Sequence, residues 1–491
     1  MKEKIIKLNI NIIQVIQVAM LIVTIFSFII SLKDIVSPIY RFSFIQPLVF
    51  GMVLLLRQKE LKYIYTKISG FLIFSTYFIR MSILPLLAVL GNHAYIIPSN
   101  AFDAESYTLA NFLAAYEFLI LSYFLFKKAK NSSGIVFENY TVRAVNGEIP
   151  YLTQKVPRFL VLIIVIMIAY MFSIFASDST VIRQNFSLLV GTPEGWYVRA
   201  SYRSIDDIGG SGVLGILVTL TLYVFWYLQA ILPPVLLIQI CKSKMKNTTR
   251  IFSILLIATL LFMVTSGTKI HSLECGFAFL ILVYLCYGGK YVKLLEKIAI
   301  IGGVAAILGV MTKSGFNQYG VENFHKVMSA YFGGVQNIAA SIYAVNHFEG
   351  FGIQRIFPDI INQIPLFGNR LKFLLNLDNT TGYLFNHSLT SGKSLGQIIP
   401  AIGQGYSYFG FILAPIIPLV AALLADKFDL NAMNSDDLIK KNIYIIAAIM
   451  MSRAVVTTNL MSAVSYIFNT YISLLIVYGG CRVVPRKRGS S

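Results

Sequence analysis

The chain has 491 residues, 56% of them hydrophobic and only 13% charged, with a mean hydropathy of +0.71. Soluble globular domains carry about 25% charged residues, so a soluble enzyme is excluded and a polytopic membrane protein is indicated. The net charge of +19 raises nucleic acid as a partner, and the placement of the charges decides that question.

Apolar runs at 10–32, 38–56, 68–90, 108–126, 159–176, 213–241, 251–266, 270–288, 298–313, 411–425, 443–457 and 462–480 predict an all-α protein of about twelve transmembrane helices. They form a single integral membrane domain over 1–491. The first run lacks a small-residue cleavage site and reads as a retained helix rather than a signal peptide. Lys2, Lys4 and Lys7 precede it. Basic clusters at 57–67, 127–158, 242–250, 290–297, 427–441 and in the tail (Arg482, Arg486, Lys487, Arg488) then fall on the same side as these lysines. The positive-inside bias makes that side, and both termini, cytoplasmic. This accounts for most of the net charge and removes the nucleic-acid reading. Two large loops face outward, 177–212 and 314–397. Pro233 and Pro234 should kink the long run at 213–241. The stretch 397–409, broken by Pro400, Gly403 and Gly405, reads as re-entrant or interfacial. Cys241, Cys275, Cys286 and Cys481 lie in or beside apolar runs without a CxxC pair, which points to neither zinc nor disulfides.

Charged residues fall inside predicted spans, Arg80, Glu117 and Arg453 among them. Arg80 and Glu117 both lie roughly 15–18 Å from the cytoplasmic ends at 1.5 Å per residue, so neighbouring spans would let them pair. A structural ion pair is one reading; a proton relay or a substrate contact is the other. Arg453, in IMMSRAVVTT, has no acidic neighbour in its own span, and functional and snorkelling roles stay open.

The outer side carries an unusual basic set. Arg199 and Arg203 are four apart in loop 177–212, so one helical turn would present both to one anion. Pairing with Asp206, Asp207 or Glu194 is the plain alternative. Lys269 sits in a short SGTKI turn between two spans, with His271 two residues on. The loop 314–397, long enough to expect structure and function and predicted to hold short amphipathic helices, carries Arg355, Arg370, His325, His347 and His387. His387 stands among Asn386, Ser388, Thr390 and Ser391, a polar cluster suited to carbohydrate hydroxyls. Asp206-Asp207 and the Asp103/Glu105 pair are weak candidates for a divalent ion, and no metal site is assigned. P-loop, GxSxG and dinucleotide patterns are absent.

The order of these features resembles a known family. An outer SGTK turn is followed by one large external loop holding FEGFGIQRIFPDIINQIPLFGNR and NHSLTSGKSLGQIIP, which closes on YSYFG before the next span. This is similar to the Wzy-type polymerases of O-antigen, enterobacterial common antigen and capsular polysaccharide. The resemblance implies a glycosyltransferase, without a cofactor or a metal, that joins undecaprenyl-diphosphate-linked oligosaccharide repeat units at the outer face of the cytoplasmic membrane. It implies lipid-linked oligosaccharide and bilayer as partners, with a chain-length regulator and a flippase as further ones. It assigns Lys269, Arg355 and Arg453 to the diphosphate, with Arg199 and Arg203 contributing. Arg370 and Asn386 fall to diphosphate or glycan binding, and His387 and Arg355 to catalysis. Many members carry arginine at the position of Lys269; lysine keeps the charge and loses the bidentate fork. An O-antigen ligase-like transferase shares the topology, and a lipid-linked oligosaccharide flippase is the alternative from another class.

Overall fold

The computed structural model describes residues 2–64, 67–93, 103–131, 154–177, 186–188, 213–266, 269–287, 316–364, 368–377, 379–390, 399–457 and 459–483, with isolated positions at 297, 301, 308 and 311. Nearly all of these residues are helical. The strands among them are Phe186–Leu188 and Val264–Ser266, an antiparallel pair with Phe186 opposite Ser266.

Among the described residues, four helices are long and apolar enough to cross a membrane: Gln14–Val36, Ile68–Leu90, Ala104–Lys128 and Tyr223–Lys242. A fifth span is added if the pair Ala401–Leu413 and Ile416–Asn434, bent by 113°, is taken as one. Shorter apolar helices among the described residues are Ile45–Leu56, Arg158–Ser173, Asn247–Phe262 and His271–Tyr287. The run at 38–56 gives the 12-residue helix Ile45–Leu56, about 18 Å at 1.5 Å per residue, because 40–44 turn before it starts. The run at 298–313 lies outside the described residues but for isolated positions. Pro233 and Pro234 do not end their helix, which runs from Val213 to Lys242.

The chain divides into two compact units. The first comprises Met1–Gly134, Ser314–Asp429 and Ala448–Ser465. Here helix Lys2–Ser31 packs on Ile45–Leu56, which packs on Ala104–Asn131. Phe50, Phe74 and Phe118 fill the centre, with Phe50 centroids 5.2 Å from both partners. Arg80 and Glu117 lie beside this aromatic cluster, both fully buried, with Nη1 2.9 Å from Oε2. Arg80 belongs to a π-helical turn, Ile79–Ile83, inside an otherwise α-helical span; the wider turn re-aims the side chains that follow. Nearby polar groups also pair across helices: Thr24 Oγ1 with Ser82 Oγ at 2.9 Å, and Gln46 Nε2 to Asn111 Oδ1 at 2.7 Å.

A second tie sits at the other end of these helices. Lys67 and Lys128 donate to Asp426 at 2.7 and 2.8 Å. Asp429 accepts from both the backbone N–H and the hydroxyl of Ser69 at 2.9 Å. Ser69 opens helix Ile68–Phe78, so Asp429 fills one of the donors a helix start leaves over.

The described residues of 314–397 include the helices Phe316–Tyr331, Val335–His347, Ile356–Asn362, Gly368–Leu374 and Thr381–Thr390. Val335–His347 is buried on nearly every side between Ala104–Asn131 and Ala401–Leu413. Its small residues Ala339, Ala340 and Ser341 permit this, and Gly403 meets Ser341 where a Cβ would strike the hydroxyl.

The second unit comprises Ile135–Lys313, Leu430–Ala447 and Tyr466–Ser491. Helix Val213–Lys242 packs on Lys269–Tyr287 and Arg158–Ser177. Asp437 is its polar anchor. It caps helix Leu438–Ala454 by accepting from the Ile439 and Lys440 N–H groups at 2.9 and 3.1 Å. It also accepts from Tyr478 at 2.7 Å and pairs with Arg482.

The first unit's ion pair yields a direct test. Arg80→Leu or Glu117→Leu alone strands a charge in an apolar core and costs about 3–5 kcal/mol, whereas the double variant costs much less. Thermal unfolding in detergent micelles separates the three. A double variant as stable as the wild type but inactive assigns the pair a functional role instead.

Candidate functional site

The first unit holds an open cleft of about 730 Å³ between two segments, 345–352 and 406–410. One wall begins at the end of helix Val335–His347 and continues through Phe348, Glu349, Gly350, Phe351 and Gly352. The other is the helix carrying Tyr406, Ser407 and Tyr408, which breaks at Gly410 (φ 73°). Tyr406 donates its hydroxyl to Asn346 Oδ1 across the cleft at 3.2 Å.

His347 stands near the start of the first wall, where its helix stops. Its ring stacks on Tyr343 one turn back, centroids 4.1 Å apart. Nδ1 lies 3.0 Å from the Tyr343 carbonyl. A carbonyl only accepts, so this nitrogen is the donor. Nε2 is 3.8 Å from Asp103 Oδ2. Asp103 itself caps helix Ala104–Asn131, accepting from the Ser106 N–H at 2.5 Å through its other oxygen. The acidic pair read as a weak cation candidate therefore contributes a helix cap.

Arg355 lies beneath the glycine-rich wall. Gly350 (φ 96°) and Gly352 (φ 135°) adopt backbone angles that side chains disfavour, and the resulting turn aims the Gly350 carbonyl at Arg355. Arg355 is 9% exposed; Nε donates to Gly350 O and Nη1 to Asn379 O at 3.1 Å. One turn on, Asp359 is 3% exposed. It accepts from the Thr381 N–H at 2.9 Å, from the Thr381 hydroxyl at 2.5 Å and from the Tyr408 hydroxyl. Gln404 donates to the same Tyr408 oxygen at 2.7 Å. Arg355 and Asp359 together fasten three helices to one side of the cleft. Burial pushes the Asp359 carboxyl above the usual carboxylate range, against the pull of Thr381, Tyr408 and the Arg355 charge.

The other residues singled out by sequence fall elsewhere. His387 is exposed on helix Thr381–Thr390, its ring 5.7 Å from Tyr383, and does not line the cleft. Asn386 donates to the Gly382 carbonyl of its own helix at 2.9 Å. Arg453 is half-buried near the end of helix Leu438–Ala454, where its carbonyl accepts from Val456 N and Thr457 N at 3.1 and 2.9 Å. For Arg370 and Lys269 only the backbone is described: Arg370 in helix Gly368–Leu374 and Lys269 as the first residue of helix Lys269–Tyr287. Arg199 and Arg203 lie outside the described residues. Lys269 belongs to the second unit, Arg355, Arg370, His387 and Arg453 to the first.

Sequence reasoning passed over Asp359 and Tyr408, and named His347 without giving it a role. The signal for Asp359 was its place four residues after Arg355, the spacing of charges on one helical face. Nothing in the sequence ranked His347 above His387. Family profiles, curated proteins and solved structures offer no match to the chain.

Substitutions at Asp359 test the network. Asp359→Ala leaves Thr381 and Tyr408 unpaired in a buried site and costs about 1–3 kcal/mol. Asp359→Asn keeps an acceptor for the Thr381 N–H and a donor for the two hydroxyls, so it stays close to wild type. The raised carboxyl pKa means the folded state favours the protonated acid. Its contribution is full below the unfolded pKa of about 4 and is lost as pH rises through the folded value. Melting temperatures across that window should fall for the wild type relative to Asp359→Asn.

Proposed function

We propose that the chain is a membrane glycosyltransferase that polymerises oligosaccharide repeat units carried on undecaprenyl diphosphate, for O-antigen or capsule. The observation that carries this reading is the cleft of about 730 Å³, which combines aromatic faces with hydrogen-bonding groups. Tyr406, Tyr408, Phe348 and Phe351 offer rings for sugar C–H faces, and Asn346, His347 and Glu349 offer polar atoms for hydroxyls. The motif order of the sequence supports the same class, and four or five membrane-capable helices suit a substrate held in a bilayer.

The topology belongs to this proposal: about twelve spans, cytoplasmic termini, and the stretch 314–397 facing outward on the cytoplasmic membrane. Alkaline phosphatase joined after His347 should then be active and, joined within 132–150, inactive. The reverse pattern overturns the orientation.

In the proposed reaction a sugar hydroxyl of the incoming unit attacks the anomeric carbon of the growing chain. The bond to the diphosphate breaks and undecaprenyl diphosphate leaves with the electron pair. His347 is the base the geometry favours, because it lines the cleft and the hydrogen bond from Nδ1 to the Tyr343 carbonyl fixes its ring. Arg355, fixed before substrate arrives, provides positive charge beside the same cleft, which is how leaving-group charge is best stabilised. Arg453, in the same unit as the cleft, remains a candidate for the diphosphate.

The deciding measurement is the surface-polysaccharide ladder on a gel. Deletion should leave single repeat units on the acceptor; loss of all glycan from the acceptor points to a ligase, and an unchanged ladder overturns the proposal. His347→Ala should reduce polymerisation by about 10²–10⁴-fold with the protein still in the membrane, and His387→Ala should have the smaller effect. Equal ladders for His347→Ala and wild type would remove the base assignment.

A further inference from the structure

We infer that the helices Ile356–Asn362 and Gly368–Leu374 lie in the plane of the bilayer surface, with their apolar side in the lipid. Their polarity is inverted for a segment surrounded by water. Ile353, Phe357, Ile360 and Ile364 recur at spacings of four, three and four, which places them on one helical face. All four are exposed, Phe357 at 54%. The charged residues Arg355 and Asp359 and the ring of Pro358 occupy the opposite, buried side. Helix Gly368–Leu374 repeats the pattern at its end, with Phe373 85% and Leu374 76% exposed.

Three observations name lipid as the occupant. First, this outward apolar character is the pattern of the membrane-capable helices, where Ile22 and Phe26 of Gln14–Val36 are likewise exposed. Second, the segment is fastened to the bent membrane-capable pair: Tyr408 of helix Ala401–Leu413 donates to Asp359. Third, Lys372 adjoins the exposed apolar end, the arrangement of an interfacial helix that meets anionic headgroups with basic residues and acyl chains with apolar ones. Each helix has seven residues, far below the roughly 20 needed to cross, so they lie on the membrane rather than through it. Tyr383, exposed on the following helix, is the residue type that collects at headgroup level.

This inference needs a bilayer and does not need glycosyl transfer, so the ladder test and the test below fail independently. The native Cys241, Cys275, Cys286 and Cys481 are buried, so a single added cysteine takes a thiol-reactive fluorophore. Phe357→Cys and Phe373→Cys are labelled separately in the full chain, with Glu349→Cys at the open cleft as the aqueous control. Each is reconstituted in phosphatidylethanolamine–phosphatidylglycerol vesicles. Lipids with a nitroxide near the headgroup should quench both labels several times more than lipids with a nitroxide at the chain end. Aqueous iodide should quench the Glu349 label alone. Iodide quenching of the Phe357 and Phe373 labels without lipid quenching overturns the inference. So does stronger quenching from the chain end, which would mark a span. Protection from both quenchers with cross-linking between copies overturns it as well, and assigns the face to a dimer.

Discussion

A bilayer core offers no water to a charge, and the first unit is organised around meeting that constraint once. Arg80 and Glu117 are both fully buried and 2.9 Å apart, so their helices cannot separate without stranding an ion. The consequence travels along helix Ala104–Asn131, which holds Glu117 near its middle. At one end Asp103 caps that helix and faces His347. At the other, Lys128 shares Asp426 with Lys67. Along its side it packs against Val335–His347, whose last residues form a wall of the cleft. One helix therefore ties the intramembrane pair, the basic end and the cleft into a single frame.

Within that frame the cleft is built from groups that are already committed. Asp359 takes three hydrogen bonds and sits one turn from Arg355. Arg355 donates to two backbone carbonyls. Neither has to reorganise when an anion arrives nearby, so the field at the cleft is set by folding rather than by binding. The glycines at 350 and 352 serve the same end, since only their backbone angles turn the 350 carbonyl towards Arg355.

The sequence showed the intramembrane pair because depth alone put Arg80 and Glu117 at one level. It showed most apolar runs because hydropathy reports burial in lipid or protein alike. It failed where burial comes from shape. Val335–His347 reads VQNIAASIYAVNH, too polar to pass as a span, yet it is core because small residues let two helices close on it. The same limit explains the histidines. His387 stood in a polar neighbourhood and His347 did not, but the end of a helix, invisible in composition, puts His347 at the cleft and leaves His387 on an outer face. Arg355 was legible as a charge out of place; its buried partner four residues on was not, because a carboxylate in FPDI looks like any surface aspartate.

The inverted helix Ile356–Asn362 and the cleft have one explanation. Turning Arg355 and Asp359 inward builds the network that fastens the wall of the cleft, and the periodicity of a helix then forces Ile353, Phe357 and Ile360 outward. In water that outward face would be a liability. On the reading proposed above, lipid makes it an anchor that would hold the cleft at the level where a membrane-tethered diphosphate presents its sugar. A site that floated free above the surface would need the substrate to leave the headgroup region to be reached. A site fastened to the surface by the same residues that shape it does not.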